Sequence, residues 1–252
     1  MPEIATSHIA SFDGIELAVH RAGSGRPVVL LHGLFSNAHV NWIKFGHAEK
    51  LAEAGFEAIM PDLRAHGESA APRDPAAYPP GVLISDLAAL VETLGLEDYD
   101  LVGFSLGART CAQAVARAGL APRRLVLAGM GLDGLTGWSK RGQFFLDMIA
   151  DFDRLKRDDP AWMAAQFMKT TGIDREAARL LLESVRNQSE QDLAAITMPT
   201  LVLCGDEDND NGPPGELAEA LLHGTLRLVP GTHMSSVTKP DLGSALVEFL
   251  AL

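Results

Sequence analysis

Cysteine, tyrosine and basic residues are scarce in this chain. Of its 252 residues two are cysteine, Cys111 and Cys204, and two are tyrosine. So few cysteines exclude a disulfide-stapled scaffold. Cys204 closes an apolar run, "TLVLC", and Cys111 sits in a helical stretch, so both read as small buried hydrophobes in a reducing compartment. No Cys or His recurs at metal-ligand spacing, and no metal site is expected. Lys and Arg number 21 against 33 Asp and Glu, a formal net charge of −12. No basic stripe exists beyond Arg123-Arg124, which flanks an apolar run, so nucleic acid is not an expected partner. No apolar run approaches the ~18 residues that a membrane span needs. The opening "MPEIATSHIASFDG" lacks the basic and apolar regions of a signal peptide, and the expected location is the cytoplasm.

What is present is ordinary for a globular chain with a large core: 47% hydrophobic and 21% charged residues, enough for one or two domains. Two alternating runs, "HIASF" and "IELAVHRA", flank Asp13-Gly14 and predict a β-hairpin. "PVVLLH" (27–32), "FEAIMP" (56–61), "YDLVGF" (99–104), "RRLVLAGM" (123–130), "PTLVLCGD" (199–206) and "TLRLVPG" (225–231) read as strands, most of them continuous apolar runs of the kind buried on both faces of a sheet. Between and after them helices are predicted over about 39–54, over "LISDLAALVETLG" up to Gly95, over 106–118, and over "GELAEALL" and "KPDLGSALVEFLAL". Strands alternating with helices predict an α/β fold: a mostly parallel central sheet flanked by helices, with the hairpin as an antiparallel edge. The alternation breaks once. Residues 132–196 contain no buried strand but helical stretches carrying Trp138, Phe144, Phe145, Met148, Phe152, Trp162, Met163, Phe167 and Met168. They predict a helical insertion in a core formed by 1–131 and 197–252.

"GFSLG" (103–107) places a serine where a buried strand hands over to a helix. A serine hydroxyl is a weak nucleophile and needs a base within hydrogen-bond reach, a group to orient that base, and donors for an oxyanion. A sharp strand–turn–helix exposes the hydroxyl, and small residues two positions away let strand and helix approach. The N–H of Leu106 then opens the helix toward the serine. A glycine-rich turn with an incidental serine is the competing account, and the flanking strand and helix argue against it.

Five stretches in order resemble the α/β-hydrolase fold family over nearly the whole chain. "LLHGL" (30–34) resembles its His-Gly turn. "PDLRAHGES" (61–69) resembles its Asp-x-Arg-x-x-Gly-x-Ser stretch, with Ala65 where glycine is commoner. "GFSLG" matches its nucleophile elbow, "LVLCGDED" (201–208) its acid turn, and "VPGTHMSS" (229–236) its histidine loop. The resemblance implies Ser105 as nucleophile, His233 as base, and oxyanion donors from Leu34, with Phe35 a lesser candidate, and Leu106. It selects Asp208 as the acid through a Gly-x-x-Asp pattern. Asp206 and Asp210 in the same acidic run stay open, as does Asp133, where another branch of the family places the acid. Of the other histidines, His8, His20 and His223 fall in edge or surface segments, His39 and His47 in the first helical region, and His32 and His66 in motifs that support the loops.

The resemblance implies a serine hydrolase of small, fairly apolar carboxylic esters or lactones. It would act through an acyl-enzyme, with a small molecule as partner and no cofactor, under a helical cap at 132–196. Carbon–carbon bond hydrolysis of β-diketones or ring-cleavage products uses the same triad and is the alternative. A ligand-binding receptor with a near-idle triad is the alternative of another class. Haloalkane dehalogenation, which uses an aspartate nucleophile, does not suit an elbow carrying Ser105. Arg109, one turn into the helix after Ser105, is expected at the surface or in an ion pair rather than as a carboxylate ligand. The sequence does not specify the oligomeric state.

Overall fold

The computed structural model describes residues 3–187 and 189–252; the first two residues of the opening segment and Gln188 of the predicted insertion lie outside them. Strands β1 (Ala5–Ala10), β2 (Glu16–Gly23), β3 (Arg26–Leu31), β4 (Phe56–Pro61), β5 (Asp100–Phe104), β6 (Leu125–Ala128), β7 (Thr200–Gly205) and β8 (Gly224–Val229) form one sheet. Its order is β1-β2-β4-β3-β5-β6-β7-β8. The β1–β2 and β2–β4 pairs are antiparallel and every other pair is parallel, as the hairpin and the alternating pattern predict. Gly14, at φ 82°, turns the hairpin in a conformation that costs glycine little.

The helices before the insertion are α1 (His47–Glu53), α2 (Val82–Thr93) and α3 (Leu106–Ala118); α4 (Leu132–Thr136), α5 (Trp138–Ala150), α6 (Trp162–Thr170), α7 (Arg175–Ser184) and α8 (Glu190–Leu193) lie between β6 and β7; α9 (Pro214–Ala220), α10 (His233–Ser236) and α11 (Pro240–Leu250) complete the chain. Alternate residues of the apolar strands face opposite ways. Val29 and Leu31 of β3 join the core under α2 and α3, while Val28 and Leu30 join the core under α1 and α11. All four are essentially inaccessible, and this double burial explains their unbroken apolar run.

Two expectations need correction. The single helix predicted over 39–54 is a π-helical turn, His39–Ile43, followed by α1. Gly46, at φ 79°, takes a left-handed conformation between them. His20 is not a surface residue: β2 lies inside the sheet, and the imidazole is buried, with Nε2 3.2 Å from Asp62 Oδ2 and Nδ1 2.9 Å from Thr6 Oγ1. Cys111 and Cys204 are buried free thiols, and burial pushes the Cys204 thiol up to about 12. Among the described residues no helix is long and apolar enough to cross a membrane.

Candidate active site

The carboxyl ends of β3, β5, β6 and β7 meet at one rim, where an open parallel sheet presents its loops to a ligand. Ser105 occupies the one-residue hinge between β5 and α3, at φ 53° and ψ −112°. A side chain rarely adopts that conformation, and the surrounding packing enforces it. A Cβ at Gly107 would lie 2.3 Å from the Leu31 carbonyl oxygen, and one at Gly103 would lie 2.4 Å from the Ala108 nitrogen. Strand and helix therefore meet backbone to backbone, which is why small residues bracket the serine.

His233 reaches this serine from the far end of the chain. It begins α10, whose first turn is closed by a reciprocal cap: Thr232 Oγ1 accepts from the Ser235 N–H, and Ser235 Oγ accepts from the Thr232 N–H. Its Nε2 lies 3.1 Å from Ser105 Oγ, and its Nδ1 lies 2.9 Å from Asp208 Oδ2. An ionised carboxylate only accepts, so the Nδ1–H donates to Asp208 and leaves Nε2 to accept from the serine hydroxyl. All three residues are buried.

The rival acids do not face the imidazole. Asp206 Oδ1 accepts from the Gly231 N–H at 2.8 Å, Asp210 faces Arg141, and Asp133 is exposed on α4 beside Gly212. Asp208 Oδ1 is itself held by the Asp210 N–H at 3.1 Å. The imidazole also needs space that sequence reading missed. A Cβ at Gly129, which sits at φ 58°, would come within 3.1 Å of His233 Cε1. Asn211 Nδ2 donates to the Gly129 carbonyl at 2.7 Å and fixes that bend. A lone glycine after a strand is too common a signal to have revealed this.

The loop after β3 is held by histidines. His66 Nε2 accepts the Phe35 N–H at 3.0 Å, and His32 Nε2 accepts the Leu63 N–H at 2.9 Å. Each ring donates its Nδ1–H to a backbone carbonyl, of Arg64 and Gly33 respectively. This removes Phe35 as an oxyanion donor, whereas the Leu34 N–H has no acceptor among the described residues. Ala65, at φ 67°, shows why glycine is commoner at that position.

Burial pushes His32 and His47 down, and burial with the neighbouring His32 brings His66 to about 3. In the unfolded chain each takes a proton below about pH 6.5. Their contribution to stability is therefore complete above that pH and is lost as pH falls toward the folded values. His20, raised by its hydrogen bond to Asp62, acts in the opposite sense: its contribution is present below about pH 6.5 and is lost as pH rises through its folded value. With three imidazoles against one, the urea midpoint is expected to fall already between about pH 7 and 5, before most carboxylates protonate. A flat midpoint across that interval would contradict neutral buried imidazoles.

Ser105 stands where two cavities meet. A cavity of about 730 Å³ is lined by Leu34, Leu106 and His233 and, from residues 132–196, by Trp138, Phe145 and Phe167. A second, of about 230 Å³, shares Leu34, Ser105 and His233 and extends toward Val40 and Phe45. Of the large residues predicted in the insertion, Trp138, Phe144, Phe145, Met163 and Phe167 line the larger cavity. Met148 and Met168 are buried in the core instead. Among the described residues no group of three or more His, Cys, Asp or Glu is placed to hold a metal ion.

Comparison with known proteins agrees with this fold. The profile of the alpha/beta hydrolase fold matches residues 26–167. A non-heme haloperoxidase of Rhodococcus erythropolis is 28% identical over 280 residues, with 96% of this chain and 98% of the relative covered. An epoxide hydrolase of Siraitia grosvenorii is 38% identical over 103 residues, but the match spans 41% of this chain and 32% of that protein. A thermophilic esterase from Thermogutta terrifontis superposes with a TM-score of 0.78 at 24% identity, over 98% of each chain.

Proposed function

The chain belongs to the alpha/beta hydrolase fold family and is a hydrolase; from that premise we propose that it is a serine hydrolase of small carboxylic esters or lactones acting through an acyl-enzyme. The observation that carries this reading is the relay from Ser105 Oγ to His233 Nε2 at 3.1 Å and from His233 Nδ1 to Asp208 at 2.9 Å, on the wall of a largely apolar cavity.

His233 takes the hydroxyl proton as Ser105 attacks the substrate carbonyl, and Asp208 stabilises the imidazolium that results. The N–H groups of Leu34 and Leu106 receive the oxyanion, the second aided by its place at the start of α3. The leaving alcohol takes the proton from His233. Water deprotonated by the same imidazole then cleaves the acyl-enzyme and frees the serine. The cavities on either side of Ser105 suit the two halves of an ester. The helices of 132–196 act as a cap over the core of 1–131 and 197–252.

A fluorophosphonate probe is expected to label the protein stoichiometrically at Ser105, located by peptide mass. Short p-nitrophenyl esters are expected to give a burst of one nitrophenolate per protein. Ester turnover without a label at Ser105 would overturn the assignment. Turnover of a dienoate ketone but not of esters would move the activity to carbon–carbon bond hydrolysis by the same residues.

A further inference from the structure

Among the described residues two arginines are fully or almost fully buried, and they are treated in opposite ways. Arg64 is held by Asp13 and Asp86, with Nη and Nε contacts between 2.6 and 3.0 Å to the two carboxylates. Arg109, 1% exposed, has no carboxylate partner among the described residues. Its Nη1 donates to the carbonyl of Leu135 at 2.9 Å and more loosely to that of Arg186 at 3.3 Å, and its Nη2 is buried with no partner. Trp138 covers the guanidinium, whose central carbon is 4.9 Å from the ring centroid. A shortage of acids does not explain this, because the chain carries 33 Asp and Glu against 21 Lys and Arg. An uncompensated buried charge is among the least favourable arrangements a fold can hold.

The position of Arg109 supplies a reason for it. Its N–H bonds to the Ser105 carbonyl at 3.0 Å, so it stands one helical turn, about 6 Å of rise, beyond the serine. Together with Trp138 it lines the larger cavity. A second cation, Arg141, lines the same cavity. It stacks on Phe145, and its Asp210 carboxylate partner is at 3.5 Å. Burial, with Arg141 and Arg117 nearby, pushes Arg109 down to about 9, which still leaves it cationic at neutral pH.

We propose that Arg109 forms a carboxylate-binding subsite in the larger cavity, so that the substrate is an ester or lactone carrying a free carboxylate a few carbon atoms from the scissile carbonyl. An anion there supplies the guanidinium with an acceptor and with the charge that the protein withholds. The selection for a carboxylate rests on the serine hydrolase reading above, whereas binding of the anion does not.

The test compares monoalkyl esters of glutarate and adipate with neutral alkyl esters of matched length. The wild-type protein is expected to prefer the half-esters by about 10- to 100-fold in kcat/KM, carried mainly by KM. Arg109→Met is expected to bring that ratio close to one, and Arg109→Lys to restore part of it. Calorimetric titration of Ser105→Ala with monoethyl glutarate reads binding without turnover. Absence of preference in the wild type would overturn the subsite and leave Nη2 to a water in the void of about 10 Å³ beside Gln113 and Ser184. An equal loss on both ester types in Arg109→Met, with the ratio unchanged, would assign Arg109 a purely structural role. If Ser105→Ala binds the half-ester but the wild type neither turns over esters nor labels with fluorophosphonate, the subsite stands and the catalytic reading falls. The wild-type comparison and the titration do not depend on any Arg109 variant folding.

Discussion

Ser105→Ala is expected to lower kcat for ester hydrolysis by about 10⁴- to 10⁶-fold and to abolish fluorophosphonate labelling. The residual rate would come from cavity binding and the oxyanion donors acting on water. Folding should survive, because alanine keeps the Cβ and loses only the hydroxyl bonded to His233 at 3.1 Å. The same position separates catalysis from stability. Ser105 is held at φ 53° and ψ −112°, a conformation that strains any residue with a Cβ by about 1–3 kcal/mol. Ser105→Gly is therefore expected to be equally inactive but more stable than Ser105→Ala by about 1 kcal/mol, after glycine's greater unfolded-state entropy is subtracted. The urea midpoints of the two variants measure this. Turnover by Ser105→Ala within tenfold of the wild type would require another nucleophile.

Asp208→Asn should have the second largest effect, a fall in kcat of about 10³- to 10⁴-fold with little change in fold. The carboxylate accepts the His233 Nδ1–H at 2.9 Å. An amide in its place presents N–H to Nδ1 and moves the ring proton to Nε2, where it faces the serine hydroxyl instead of accepting from it. Asp206→Asn and Asp133→Asn are the controls. Asp206 accepts the Gly231 N–H through Oδ1, which an amide oxygen can still accept, though less strongly; Asp133 is exposed. Both variants are expected to keep activity within about threefold, as substitutions away from buried networks usually do. A loss in Asp206→Asn comparable to that in Asp208→Asn would mean that the whole acid turn, rather than one carboxylate, orients His233.

Local chemistry made much of this protein legible. Continuous apolar runs predicted strands buried on both faces, and Val28, Val29, Leu30 and Leu31 are all 0–1% exposed. Alternation around Asp-Gly predicted the hairpin. Gly103, Ser105 and Gly107 predicted a sharp turn because only small residues permit the backbone contacts found there. Most of these features depend on neighbours within a few residues, so short windows carry them, although the close contact of Gly107 is with Leu31 of β3.

Other features depend on which distant groups meet. In "GDEDNDN" the carboxylates are equivalent by composition. Asp208 meets His233 because Asp206 turns back to the Gly231 N–H, a pairing across more than twenty residues. His20 reads as an edge residue until β4 pairs with β2 and buries it against Asp62. Arg109 reads as a surface or ion-paired residue in a chain rich in acids, yet the fold closes around it without supplying one. The sequence alone determined the strand–helix alternation and the strained serine, because backbone sterics and burial periodicity act locally. The Gly-x-x-Asp spacing already favoured Asp208; only the tertiary structure gave Asp206 and Asp210 other partners and left one buried cation unpaired, because the partner of a charge is set by long-range packing that no short segment encodes.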